Sequence, residues 1–239
     1  VTRNKGIASI RLTAKGEEFL SIAREWQAVY RKALAFSTLS EVTTIRIAAP
    51  ASVHEQYFKL YTQITEESSK ARLSVSTYNS DAIPSVIENR DADIGFGFIY
   101  RNSPKLLVRE IHSTPMALVE RSKSARPADV VDPRTLDSAK AVLVKGIALD
   151  NPDSAAFYKS WFGGNMPFHM YVDSPSLLVK TLPEQGWCIL PENHARRLRE
   201  EPDFHFYELA DTNFTLPLYL FLHKEAEETL KILVKKYFG

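Results

Sequence analysis

Along residues 44–100 the apolar positions recur with two different periods. Residues 44–50 (Thr-Ile-Arg-Ile-Ala-Ala-Pro) read as a buried strand, and Ser52 stands where a helix should begin. Over 53–67, Val53, Tyr57, Leu60, Tyr61 and Ile64 fall on one helical face. Residues 71–78 predict a second strand, with Leu73 and Val75 alternating against polar neighbours. Asn79-Ser80-Asp81 predicts the cap of a short helix carrying Ile83, Val86 and Ile87, and 92–99 predict a third strand. Strand–helix–strand–helix–strand at this spacing implies right-handed crossovers and a parallel sheet. Ligands of such sheets bind beyond the carboxyl ends of the strands, where helix N-termini present free N–H groups. Those ends carry 50–52, Asn79 with Ser80, and 96–98, and a small molecule is expected there.

Ahead of this unit, 1–15 hold Arg3, Lys5, Arg11 and Lys15 and no acidic residue, and the turn signal Asn4-Lys5-Gly6 predicts a β-hairpin. Unopposed cations on a hairpin suit phosphate contacts; a solvated ribbon is the bland alternative. Thr13 predicts an N-cap, and from there to Ser37 runs a helix whose stripe is Phe19, Ile22, Ala23, Trp26, Val29, Tyr30, Ala33 and Phe36. Such a stripe needs a partner, and a second copy of the chain is the favoured one. After Tyr100, 106–119 form an extended segment long enough to cross between subdomains. Residues 141–144 and 169–172 predict strands, with Lys145-Gly146 after the first and an Asp173-Ser174 cap after the second. Asp153-Ser154 predicts another cap, and Gly163-Gly164-Asn165 the end of that helix. Strand, cap, short helix and strand at 169–190 echo 73–98, which suggests two α/β lobes facing each other. Residues 204–209 resemble a second crossing strand, 216–222 a strand covered on both faces, and 225–238 an amphipathic closing helix.

The 239 residues allow one large or two small domains, and 44% hydrophobic with 25% charged residues is ordinary for a soluble globular protein. A net charge of +1 argues against wholesale wrapping of nucleic acid. The single Cys188 excludes an internal disulfide, and its apolar surroundings predict a buried, inert thiol. No run approaches a membrane span and no signal-peptide core is visible, so a cytoplasmic location is expected. The chain opens inside a patterned segment, so a truncated N-terminus is expected. No nucleophile elbow, phosphate loop or paired-histidine zinc motif occurs, and the six histidines lack metal-ligand spacing. No catalytic residue, cofactor or metal is therefore expected, and an enzyme is unsupported.

Together these segments resemble the LysR-type transcriptional regulators over essentially the whole chain. Arg11-Leu12-Thr13-Ala14-Lys15-Gly16-Glu17 looks like the family's junction between wing and linker helix. Residues 44–50 look like its first effector-domain strand, and Ala92-Asp93-Ile94-Gly95-Phe96 like its Asp-containing strand. Gly186-Trp187-Cys188-Ile189-Leu190-Pro191 resembles its Gly…Leu-Pro stretch. The resemblance implies an α/β fold of two Rossmann-like subdomains joined by two crossing strands, like a type 2 periplasmic binding protein. It implies subdomain I at 44–117 with 211–239 and subdomain II at 118–210. A linker and dimerisation helix at 13–43 and a winged helix-turn-helix remnant at 1–12 would precede them.

The partners implied are DNA for the full-length protein, a small-molecule inducer, and further copies forming a homodimer or homotetramer through the linker helix. Arg3, Lys5 and Arg11 would touch DNA phosphates. Inducer contacts would fall on Ser52, Val53, Asn79, Ser80 and Phe98, with Thr114, Pro115, Lys145, Gly146 and Asp173 completing the cleft. Two helix N-termini with Lys145 and His54 nearby favour an anionic ligand. The alternatives are a free-standing solute-binding protein of the same two-lobed fold, or an enzyme built on it.

Overall fold

A computed structural model describes residues 12–37, 43–67, 71–145, 147, 151–163 and 168–238. The expected hairpin, with Arg3, Lys5 and Arg11, lies outside the described residues. Thr13 caps α1 (Ala14–Ser37): its hydroxyl accepts the Gly16 N–H at 3.1 Å and its carbonyl the Glu17 N–H at 2.9 Å. Along α1, Phe19, Ile22, Trp26, Val29 and Tyr30 are between 50% and 69% exposed, so no described part of the chain covers this face. Trp26 and Tyr30 stack on each other with ring centroids 5.4 Å apart.

The first lobe follows as β1 (Thr43–Ala49), α2 (Ala51–Glu67), β2 (Ala71–Thr77), α3 (Ile83–Glu88) and β3 (Ile94–Gly97). β1 lies between β2 and β3, parallel to both, with Ile47 opposite Val75 on one side and Ile94 on the other. Ile45, Ile47, Ala48 and Ala49 are buried, as residues of a strand covered on both faces must be. α2 buries Val53, Tyr61 and Ile64, the face its period predicts. Two local expectations differ. Val75 is 45% exposed because β2 is the last strand of the sheet, where alternation has less to pack against. Asn79 and Ser80 do not cap α3; Ala82 stands at the N-cap without a side-chain bond, and Pro84 in the first turn has no N–H to satisfy.

β4 (Leu106–Arg121) is one strand of 16 residues, unbroken by Pro115. The second lobe then adds β5 (Val130–Val131), β6 (Val142–Val144), α4 (Pro152–Phe162), β7 (Met170–Val172), α5 (Leu178–Thr181), β8 (Trp187–Pro191), α6 (Glu192–Ala195) and β9 (Phe204–Leu209). β10 (Thr215–His223) and α7 (Glu228–Phe238) end the chain against the first lobe. The first half of β4 pairs antiparallel with β10, which itself pairs with β3; the second half pairs with β8 and β9. β6 and β7 are parallel, and an Ala141–Trp187 bridge joins them to β8. α4 is capped not by Asp153 or Ser154 but by Asn151, whose side-chain oxygen accepts both their amides, and Pro152 takes the first helical position. Gly163 ends α4 at φ +75°, a left-handed conformation that suits glycine.

Candidate functional site

The carboxyl ends of β1, β2 and β3 in one lobe face those of β6 and β7 in the other, and a cavity of about 200 Å³ lies between them. On the first lobe its wall is the start of α2. The Val53 and His54 amides return to the Pro50 carbonyl at 3.0 and 3.2 Å, which leaves the Ala51 and Ser52 amides without a partner inside the helix. Ser52 is only 4% exposed and lines the cavity. Ser80, also buried, accepts the Phe98 N–H at 3.3 Å and so ties the loop after β2 to the end of β3. Asn79 and Phe98 complete this wall. On the second lobe Lys145 and Asp173 follow β6 and β7, joined through the Lys145 N–H to the Val172 carbonyl at 2.7 Å, with Val144 and Ile147 as apolar surface.

Six expected contacts, Ser52, Asn79, Ser80, Phe98, Lys145 and Asp173, therefore line one space. Others do not. Val53 turns into the core and is 0% exposed, because on a helix the residue after a cavity-facing one lies about 100° round. Thr114 and Pro115 stand opposite Leu216 and Thr215 in the β4–β10 ladder and do not line the cavity. Gly146 lies outside the described residues. His54 adds no positive charge to the cavity. Its Nδ1 meets the Tyr61 hydroxyl at 3.1 Å and its Nε2 the Ser76 carbonyl at 3.0 Å, and burial lowers its pKa.

Sequence reasoning missed the bonds that hold the two lobes against each other. His194 of α6 reaches the Ser52 carbonyl at 3.1 Å, and the Asn151 amide donates to the Phe98 carbonyl at 2.6 Å. Both acceptors belong to residues lining the cavity. Asn193 donates to Gln56 at 2.9 Å and the Ser174 hydroxyl to Glu55 at 3.3 Å. Asn-Pro at 151–152 was a readable cap signal; the long-range partners carried none. Cys188 is fully buried, and desolvation raises its thiol pKa, as for an inert packing residue. Among the described residues no group of His, Cys, Asp and Glu could hold a metal ion, and no helix is long and apolar enough to cross a membrane.

Residues 40–234 match the family model of the LysR substrate binding domain. Among solved structures, full-length CbnR complexed with its target DNA is similar with a TM-score of 0.63 at 17% identity, covering 96% of this chain and 80% of that one. Full-length BenM gives 0.65 at 14% identity, covering 98% and 80%. The regulatory domain of MexT, a transcriptional activator in Pseudomonas aeruginosa, gives 0.65 at 13%, covering 82% and 100%. At such identities these likenesses speak for the fold. No curated protein matches in sequence.

Proposed function

Because the chain belongs to the LysR-type transcriptional regulators and carries their effector-binding domain, we propose that its cleft takes up a small carboxylate-bearing inducer. The lobes adjust around that molecule, and the change passes through α1, paired with a second copy, to a DNA-binding domain. The observation that carries this is the convergence of Ser52, Asn79, Ser80 and Phe98 with Lys145 and Asp173 on one cavity of about 200 Å³. The start of α2 supplies two unpaired amides and Lys145 a cation, the combination that suits a carboxylate. In this reading 44–117 with 211–239 form one subdomain and 118–210 the other, and Arg3, Lys5 and Arg11 position DNA phosphates. The domain has no catalytic role. The family match removes the motive for a free-standing solute-binding protein.

Ser52→Glu tests the placement, since it sets a carboxylate where the inducer's should lie. Calorimetric affinity for the inducer should fall below detection while the melting temperature stays near that of the parent. Unchanged affinity would refute the site. The inducer itself is found by mass spectrometry of small molecules retained on the purified protein.

A further inference from the structure

The cavity's own charges say more about its occupant than that it carries a carboxylate. Its described lining holds two charged side chains, Lys145 and Asp173, of opposite sign, both from the second lobe. They follow neighbouring parallel strands, which puts their Cα atoms about 5 Å apart. No ion pair within 4 Å joins them among the described residues, and both line the cavity. The facing wall on the first lobe carries no charged side chain: it offers the α2 start and the Ser52 and Ser80 hydroxyls. The one further cation that proximity in sequence suggested, His54, is turned away to Tyr61 and Ser76.

A dicarboxylate placed here would satisfy one end on α2 and Lys145 and leave the other against Asp173, a like-charge contact. A simple amine would meet Lys145. A molecule bearing both groups on one carbon matches the pair side by side, and the remaining wall, Tyr78, Phe98, Val144 and Ile147, is suited to a short apolar side chain. At about 200 Å³ the cavity is smaller than the roughly 300–1,000 Å³ of most ligand pockets, which suits a small amino acid. Resting on the cleft reading above, we infer that the inducer is a small aliphatic α-amino acid. Its carboxylate lies between the α2 start and Lys145, and its ammonium lies on Asp173.

Calorimetry on the full chain with L-valine, isovalerate, isobutylamine and succinate separates the classes. L-valine should bind saturably and at least about tenfold more tightly than isovalerate or isobutylamine, each of which lacks one charged group. Asp173→Asn should weaken L-valine to near the isovalerate level without weakening isovalerate, which has no ammonium to lose. Succinate or isovalerate binding as tightly as L-valine would overturn the amino-acid assignment, and so would L-valine binding equally well to the Asp173→Asn variant. Binding of none of the four also overturns it. In that event a different molecule retained on the purified protein, and lost from Ser52→Glu, leaves the inducer cleft standing, whereas no retained molecule removes both.

Discussion

His194 grips Ser52 from behind: its Nε2 lies 3.1 Å from the Ser52 carbonyl, across the boundary between the lobes. A carbonyl can only accept, so Nε2 carries the proton and Nδ1 is a bare lone pair, buried without a partner among the described residues. Burial lowers the imidazole pKa to about 4; the Ser52 bond opposes this, and the charges of Arg197 and His112 add to it.

A pH dependence follows from that contact. The folded pKa lies below the usual 6.5, so as pH falls the unfolded chain takes up the proton first. The stability that neutral His194 contributes is complete above about pH 6.5 and is lost on the way down to about 4. Urea denaturation at pH 7 and pH 5 should show the parent losing roughly 2 kcal/mol more than His194→Asn over that interval. Equal losses would mean that the imidazole titrates normally.

Asn151 performs two tasks with one amide group: its oxygen caps α4 and its nitrogen holds the Phe98 carbonyl, and the residue is 1% exposed. Asn151→Ala should cost roughly 2–4 kcal/mol in urea denaturation, the sum of a lost cap and a stranded buried carbonyl. Asn151→Ser keeps a capping oxygen but cannot reach Phe98, and should recover about 1 kcal/mol of that loss.

Gly95 of β3 lies directly against the Ile83 and Ile87 side chains of α3. A Cβ there would stand 2.6 Å from Ile83 Cγ2 and 2.8 Å from Ile87 Cγ1, too near for either to remain. Gly95→Ala should destabilise by about 1–3 kcal/mol through overpacking. Adding Ile83→Ala, which removes the Cγ2 in the way, should cost less than the two single changes summed, and a double-mutant cycle reads the coupling.

Glu120 is 3% exposed and is held by Arg126 through two parallel bonds, at 2.7 and 2.6 Å. Arg126→Ala strands a buried carboxylate. Because the guanidinium is 40% exposed, water screens part of the loss, which should be about 2–3 kcal/mol in thermal or urea unfolding. Replacing both, with Glu120→Leu added, should return much of it.

Trp26 is 66% exposed at the middle of the uncovered stripe of α1. If a second α1 covers it, Trp26→Glu should raise the dimer dissociation constant at least about tenfold in sedimentation velocity. An unchanged constant would move the contact elsewhere.

Much of the first lobe was legible because its elements are local. Ile45, Ile47, Val53, Tyr61 and Ile64 announce their period within a few residues, and each is buried as that period requires. The cap after Thr13 was equally readable. What could not be read was the hydrogen bonds that join distant parts of the chain. Ser52 and His194 are 142 positions apart, Phe98 and Asn151 53, and no short-range pattern marks either pair. The direction of His54 was similarly hidden, since the strand that supplies Ser76 lies beside it only in the folded sheet. Half of the cavity wall was visible as strand ends, while the bonds between the lobes behind it were not.

A single ribbon, β4, runs through both lobes, with β10 along one stretch and β8 and β9 on either side of the next. Severing the chain near Met116 would give each fragment a raw strand edge and a core open to solvent. The two halves thus share one strand, and neither completes its sheet without it.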